Sequence, residues 1–291
     1  MRQVLAASLA VLVFMPVLRA ADEPPDKGKT PRERYQALFE EYYKATQQFM
    51  DVYQKAKSDE ERSKLVQEKY PQPQSYVRRF LEIADSAPRD EAAIDSLIWI
   101  VQHAGSGTEA NSAIDRLAAS HAETKRLGQI APNLVYSLSP SAEKLLRAIL
   151  TKNPDREVKG QACLALGQYL KQQEELVRTL KTDPKRAQQI EAAYTSQGMD
   201  QASLTALRQK DSNALAKESE AMFERAANEF ADVSNLRGTI GKTAQSELNE
   251  IRNLAVGKPA PEITGEDTDG KPFKLGDYKG KVVVVDFWGD W

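Results

Sequence analysis

The chain has 291 residues with 40 Lys+Arg, 42 Asp+Glu and a formal net charge of −2, which is room for two domains and no footprint of a nucleic-acid binder. At 41 % hydrophobic and 28 % charged it can bury a core and is not compositionally disordered. One cysteine rules out an internal disulfide framework, a Cys-rich zinc site and an intact Cys-x-x-Cys pair within these residues, and two histidines argue against any classical zinc centre.

Met1-Arg2, the apolar run Val4 to Leu18 and the small-residue exit Leu18-Arg19-Ala20-Ala21 have the layout of a secretory signal peptide, assigned to residues 1–20. The run is short for a transmembrane span, which needs about 20 apolar residues; an uncleaved anchor is the alternative. No cysteine stands near the exit, which excludes a lipoprotein anchor. Cleavage removes Arg2 and Arg19 and takes the net charge from −2 to −4. The expectation is an exported protein, periplasmic or secreted.

Residues 21–30 are Pro-, Gly- and charge-rich and read as a flexible linker. A helical domain is expected over 31–255. Tyr35, Leu38, Phe39, Tyr42, Tyr43, Phe49, Met50 and Tyr53 recur at spacings of three and four and predict one broad apolar helix face. Ser58-Asp59-Glu60-Glu61 is a capping box that starts the next helix. Helical periods resume around Phe80, Leu97, Leu146 and Leu166, with Ser139-Pro140 as a cap and first-turn proline, and later over 214–230 and 242–254. No fixed repeat period emerges, so the pattern predicts an irregular helical bundle or a degenerate α-solenoid. Scaffolds of this kind position something or bind a protein partner, and no residue says which.

Several features offer chemistry and have plainer readings. Gly238-Thr239-Ile240-Gly241-Lys242-Thr243 ends like a phosphate-binding loop, but Leu236 stands where a glycine is needed and a helix, not a strand, is expected before it. No nucleotide is expected. Gly105-Ser106-Gly107-Thr108 reads as a connection with an N-cap. Cys163 sits in an apolar helical stretch, where a lone thiol is a small buried hydrophobe. His103 and His121 lie on separate segments without partners at ligand spacing and read as solvated or packed side chains. No metal and no cofactor is expected.

The composition changes at Val256-Gly257. Gly257-Lys258-Pro259-Ala260-Pro261 stops the helix, 262–266 and 272–275 read as a β-hairpin about Asp269-Gly270, and Lys281 to Trp288 reads as a buried central strand. In order and spacing, these elements and the connector Leu275-Gly276-Asp277-Tyr278-Lys279-Gly280-Lys281 resemble the start of a thioredoxin-like domain of the redoxin group. That group includes thiol-specific antioxidant and alkyl hydroperoxide reductase-like proteins and exported thiol–disulfide reductases. The expected fold is therefore mainly α, followed over 256–291 by the first strands of a thioredoxin-like α/β domain.

The resemblance implies that Phe287-Trp288-Gly289-Asp290-Trp291 leads directly into Cys-x-x-Cys, so the chain stops one residue short of the expected nucleophile. In such a motif a thiolate at a helix N-terminus attacks a disulfide and a second cysteine resolves the mixed disulfide. Provided the cysteines follow in the full-length protein, the resemblance further assigns Asp286 as a buried proton relay, Trp291 as the flank of the nucleophile and Trp288 as a packing residue on the motif; the plainer readings are a carboxylate at a strand end reaching solvent and two ordinary core aromatics. It implies protein thiols and disulfides as partners of the full-length protein, a reductase in preference to a peroxidase, and no activity in the 291 residues alone. The competing expectation is a non-enzymatic helical scaffold with a relic redoxin segment.

Overall fold

A computed structural model describes residues 28–291 apart from 106, 138, 197–200, 237, 256, 287 and 289–291. The expected targeting segment 1–20 and most of the linker 21–30 lie outside the described residues. The protein is mainly α with a small C-terminal hairpin. Its helices are α1 (Pro31–Tyr53), α2 (Asp59–Lys69), α3 (Gln74–Ser86), α4 (Glu91–His103), α5 (Thr108–Ser120), α6 (Pro140–Lys152), α7 (Arg156–Thr182), α8 (Pro184–Ser196), α9 (Gln201–Gln209), α10 (Ser212–Glu229) and α11 (Ile240–Asn249). No helix among the described residues is long and apolar enough to cross a membrane.

Local sequence explains most helix starts. Thr30 and Glu33 form a reciprocal capping box on α1, and Ser139 accepts the Ser141 amide at 3.1 Å ahead of Pro140 in α6. Asp155 accepts from the amides of Glu157 and Val158 at the head of α7. The expected box on α2 forms by half: Ser58 accepts from the Glu61 amide, while the Glu61 carboxylate takes the amide of Lys57.

The helices pack largely in chain order. α1 lies on α3 and α4, α3 on α4, α4 on α5, α5 on α6 and α6 on α7. α7 then breaks the order by packing on α10, which carries α11. At that contact a Cβ on Gly167 would stand 2.9 Å from the Phe223 ring, so glycine is what admits the phenylalanine. At the other end Trp99 stacks on Phe80 at 4.1 Å and on His103 at 4.6 Å, with Tyr42 edge-on at 5.0 Å.

The stretch between α5 and α6, which has no helical period, folds as two 3-10 turns, Lys125–Gln129 and Ala131–Tyr136. Leu127, Ile130, Leu134 and Val135 are buried there, against α7. Two apolar stretches are covered less than their patterns suggest. On α1 only Leu38, Tyr42 and Phe49 are buried, whereas Phe39, Tyr43 and Met50 are exposed, because the neighbouring helices cover less than the apolar arc. The segment 282–286, expected as a buried strand, is irregular and exposed. A central strand needs a neighbour on each side, and among the described residues none pairs with it.

Candidate functional site

The C-terminal segment is where chemistry was expected. β3 (Thr264–Glu266) pairs antiparallel with β4 (Pro272–Lys274), with Gly265 opposite Phe273. They are numbered after two-residue strands β1 (Ser234–Asn235) and β2 (Gly238–Thr239) ahead of α11. The turn is built by Asp267, whose Oδ1 accepts from the amides of Asp269 (3.0 Å) and Lys271 (2.9 Å), and by Gly270 at φ 75°. Glu262 accepts from the Gly276 amide at 2.8 Å and Asp277 from that of Lys274 at 3.1 Å, tying a 3-10 turn, Leu275–Tyr278, to the hairpin. No described side chain from 257 onward is buried.

Beyond Gly280 exposure alternates along the valine run without any strand pairing among the described residues. Val282 and Val284 are 99 % and 91 % exposed, Val283 and Val285 43 % and 47 %. Asp286 and Trp288 are exposed, and among the described residues no second layer covers this segment; the relay and packing roles presuppose the complete domain. Trp291 lies outside the described residues.

The lone thiol is elsewhere. Cys163, in α7, is fully buried; its Sγ donates to the Met222 carbonyl at 3.4 Å, and burial pushes its pKa up to about 12. It is a core residue, as the apolar stretch implies. The loop resembling a phosphate site has other work as well. The helix expected before it is α10, but the two-residue strand β1 intervenes and β2 forms the first two residues of the loop itself. Thr239 caps α11 at the Lys242 amide, Asn235 donates to the Thr243 hydroxyl at 2.9 Å, and a Cβ on Gly241 would stand 2.8 Å from Ala231 backbone. Gly241 is there for close packing.

His103 stacks on Trp99 with its Nδ1 2.8 Å from the Trp99 carbonyl. His121 ends α5, and burial holds its imidazole below the ordinary range against an opposing hydrogen bond to Pro88 backbone. Two recesses flank α5 that sequence reasoning missed. One of about 210 Å³ is lined by Asp85, Leu97, Arg116 and His121; the other, open and about 650 Å³, by Asn111, Asp115, Arg116 and Lys144. Their cations are paired, Arg116 with Asp85 at 2.6 Å and Lys144 with Asp115 at 2.9 Å. Partners about 30 residues apart leave no local signal. Among the described residues no group of three or more His, Cys, Asp or Glu could hold a metal.

No family model matches the chain, and no solved structure does. Part of it is similar to curated proteins named thiol–disulfide oxidoreductase ResA. Identity is 39 % over 57 residues with the Bacillus cereus protein, or 19 % of this chain and 33 % of the relative. It is 45 % over 57 residues with that of Geobacillus thermodenitrificans, with the same coverage, and 46 % over 39 residues with that of Bacillus subtilis, 13 % and 22 % of the two chains. The chain thus spans at most about a third of the length of these relatives. The likeness reaches part of a thiol–disulfide oxidoreductase and leaves most of the helical domain outside it.

Proposed function

We propose that this polypeptide belongs to an exported thiol–disulfide oxidoreductase in which a helical domain, 31–255, precedes a thioredoxin-like domain that begins at 256. The observation that carries the reading is the local identity to thiol–disulfide oxidoreductases, in a chain whose last elements follow the redoxin order of proline-rich lead, hairpin, short connector and valine run. The signal-peptide layout of 1–20 supports export. In the complete protein a Cys-x-x-Cys pair follows Trp291, Asp286 relays a proton to the resolving thiol once a sheet and helices cover it, and Trp291 and Trp288 flank the motif.

The reaction balances without a cofactor. The first thiolate attacks a protein disulfide and expels one sulfur as thiolate; the second thiol, deprotonated, displaces the substrate's other sulfur. The protein ends oxidised by two electrons and the substrate reduced. Residues 1–291 hold a single cysteine, Cys163, buried in α7, and so lack the paired thiols this cycle requires. A chain extended through the following coding sequence is expected to reduce insulin disulfides, the 291-residue chain is not, and changing the first new cysteine to serine should abolish turnover. A stop codon after Trp291, or insulin reduction by the 291-residue chain, would overturn the reading; the stop codon would favour the scaffold. N-terminal sequencing of exported protein starting near Ala21 tests the leader.

A further inference from the structure

The end helix α1 carries an apolar strip that its own fold leaves open. Phe39 is 41 % exposed, Tyr43 56 % and Met50 37 %, all on one flank of the buried line Leu38, Tyr42, Phe49. The rings are ordered in a ladder: Tyr35 and Phe39 stack with centroids 6.0 Å apart and Phe39 and Tyr43 6.4 Å apart at 10° between planes. Terminal helices of stacked arrays ordinarily turn a polar face outward. A contiguous aromatic strip there marks an interaction surface.

We infer that α1 pairs antiparallel with α1 of a second copy of this chain about a two-fold axis, forming a homodimer through Phe39 and Tyr43. The inference is independent of the proposed redox function. What selects a second copy is self-complementarity along the helix. With the axis between Phe39 and Tyr43, Phe39 of one copy meets Tyr43 of the other, as an isologous contact requires. The same axis sets Gln36 level with Thr46 of the other copy and one residue from Gln47, whose side-chain amide it can reach, and Glu40 two residues, about 3 Å along the helix, from Lys44. Glu40 and Lys44 are exposed and four residues apart, yet no ion pair among the described residues uses either of them. Flanking charges of this kind set orientation between paired helices.

Sedimentation of the purified chain over a range of concentrations tests this. A monomer–dimer equilibrium is expected, with Phe39→Ala and Tyr43→Ala displacing it to monomer at unchanged helical circular dichroism, since both side chains are exposed. Glu40→Lys or Lys44→Glu alone places like charges across the axis and should weaken the dimer about tenfold. The double exchange Glu40→Lys with Lys44→Glu restores opposite charges and should bring the affinity back. A monomer at every concentration, a dimer indifferent to these variants, or no rescue by the double exchange would overturn the inference. So would co-sedimentation of monomer with phosphatidylcholine vesicles through the same two aromatics.

Discussion

His121 closes α5 half buried, and the folded protein holds its imidazole below the ordinary 6.5. The unfolded chain therefore takes up a proton that the folded one resists. Its contribution to stability is whole above pH 6.5 and is lost as pH falls through the depressed folded value. Urea midpoints should decline as pH drops below 6.5, and His121→Gln should flatten that decline; an equal slope in the variant would place the cause elsewhere. Cys163 makes a second prediction at this scale. With its thiol pushed up to about 12 and no exposed surface, it should react with a disulfide reagent only as fast as the protein opens, and at once in denaturant. Rapid labelling of the native protein would contradict the burial. Both residues show what one-dimensional reading reaches. An apolar neighbourhood foretells a buried cysteine, but the depressed imidazole depends on burial in the folded protein, which outweighs the raising hydrogen bond to the Pro88 backbone, more than 30 residues away.

Helix caps are local, and so they were legible: Ser58 and Ser139 cap as their sequences imply, with only the reciprocal half of the α2 box displaced to Lys57. What a cap is worth depends on the helix behind it. α6 buries Leu145, Leu146 and Ile149 between α5 and α7, so Ser139→Ala should lower the urea-unfolding free energy by about 1 kcal/mol. α2 has no buried residue, so Ser58→Ala should leave the global transition in place and speed hydrogen exchange only within 59–69. Equal global losses in the two variants would refute the distinction. The C-terminal elements divide the same way. The hairpin was readable because its turn chemistry lies within five residues, Asp267 to Lys271. The valine run reads as a central strand of a complete domain, but its burial is decided by partners in space, and the pattern records only the side chains. The α1 arc is the same: periodicity counts apolar positions, and neighbours decide how many are covered.

Taken whole, the molecule places its core in 31–255 and none in the described residues after it. Deleting 256–291 should therefore leave the helical circular dichroism and the melting temperature unchanged and raise solubility, because Val282–Val285 presents an uncharged, unpaired strand sequence to solvent. A fall in melting temperature would show that the tail braces the helices. Amides of 282–286 should exchange orders of magnitude faster than those of α7. The chain-order stacking also has a mechanical side. A pull on the ends of 31–255 would load its interfaces in series, as in peeling, so α1 to α5 would come away one after another at low force. α7, about 40 Å long, touches α6, α8, α9, α10 and α11 and would hold until several contacts gave way together. On that reasoning the array would behave as a graded spring with a stiff spine, lengthening under tension at its N-terminal half first.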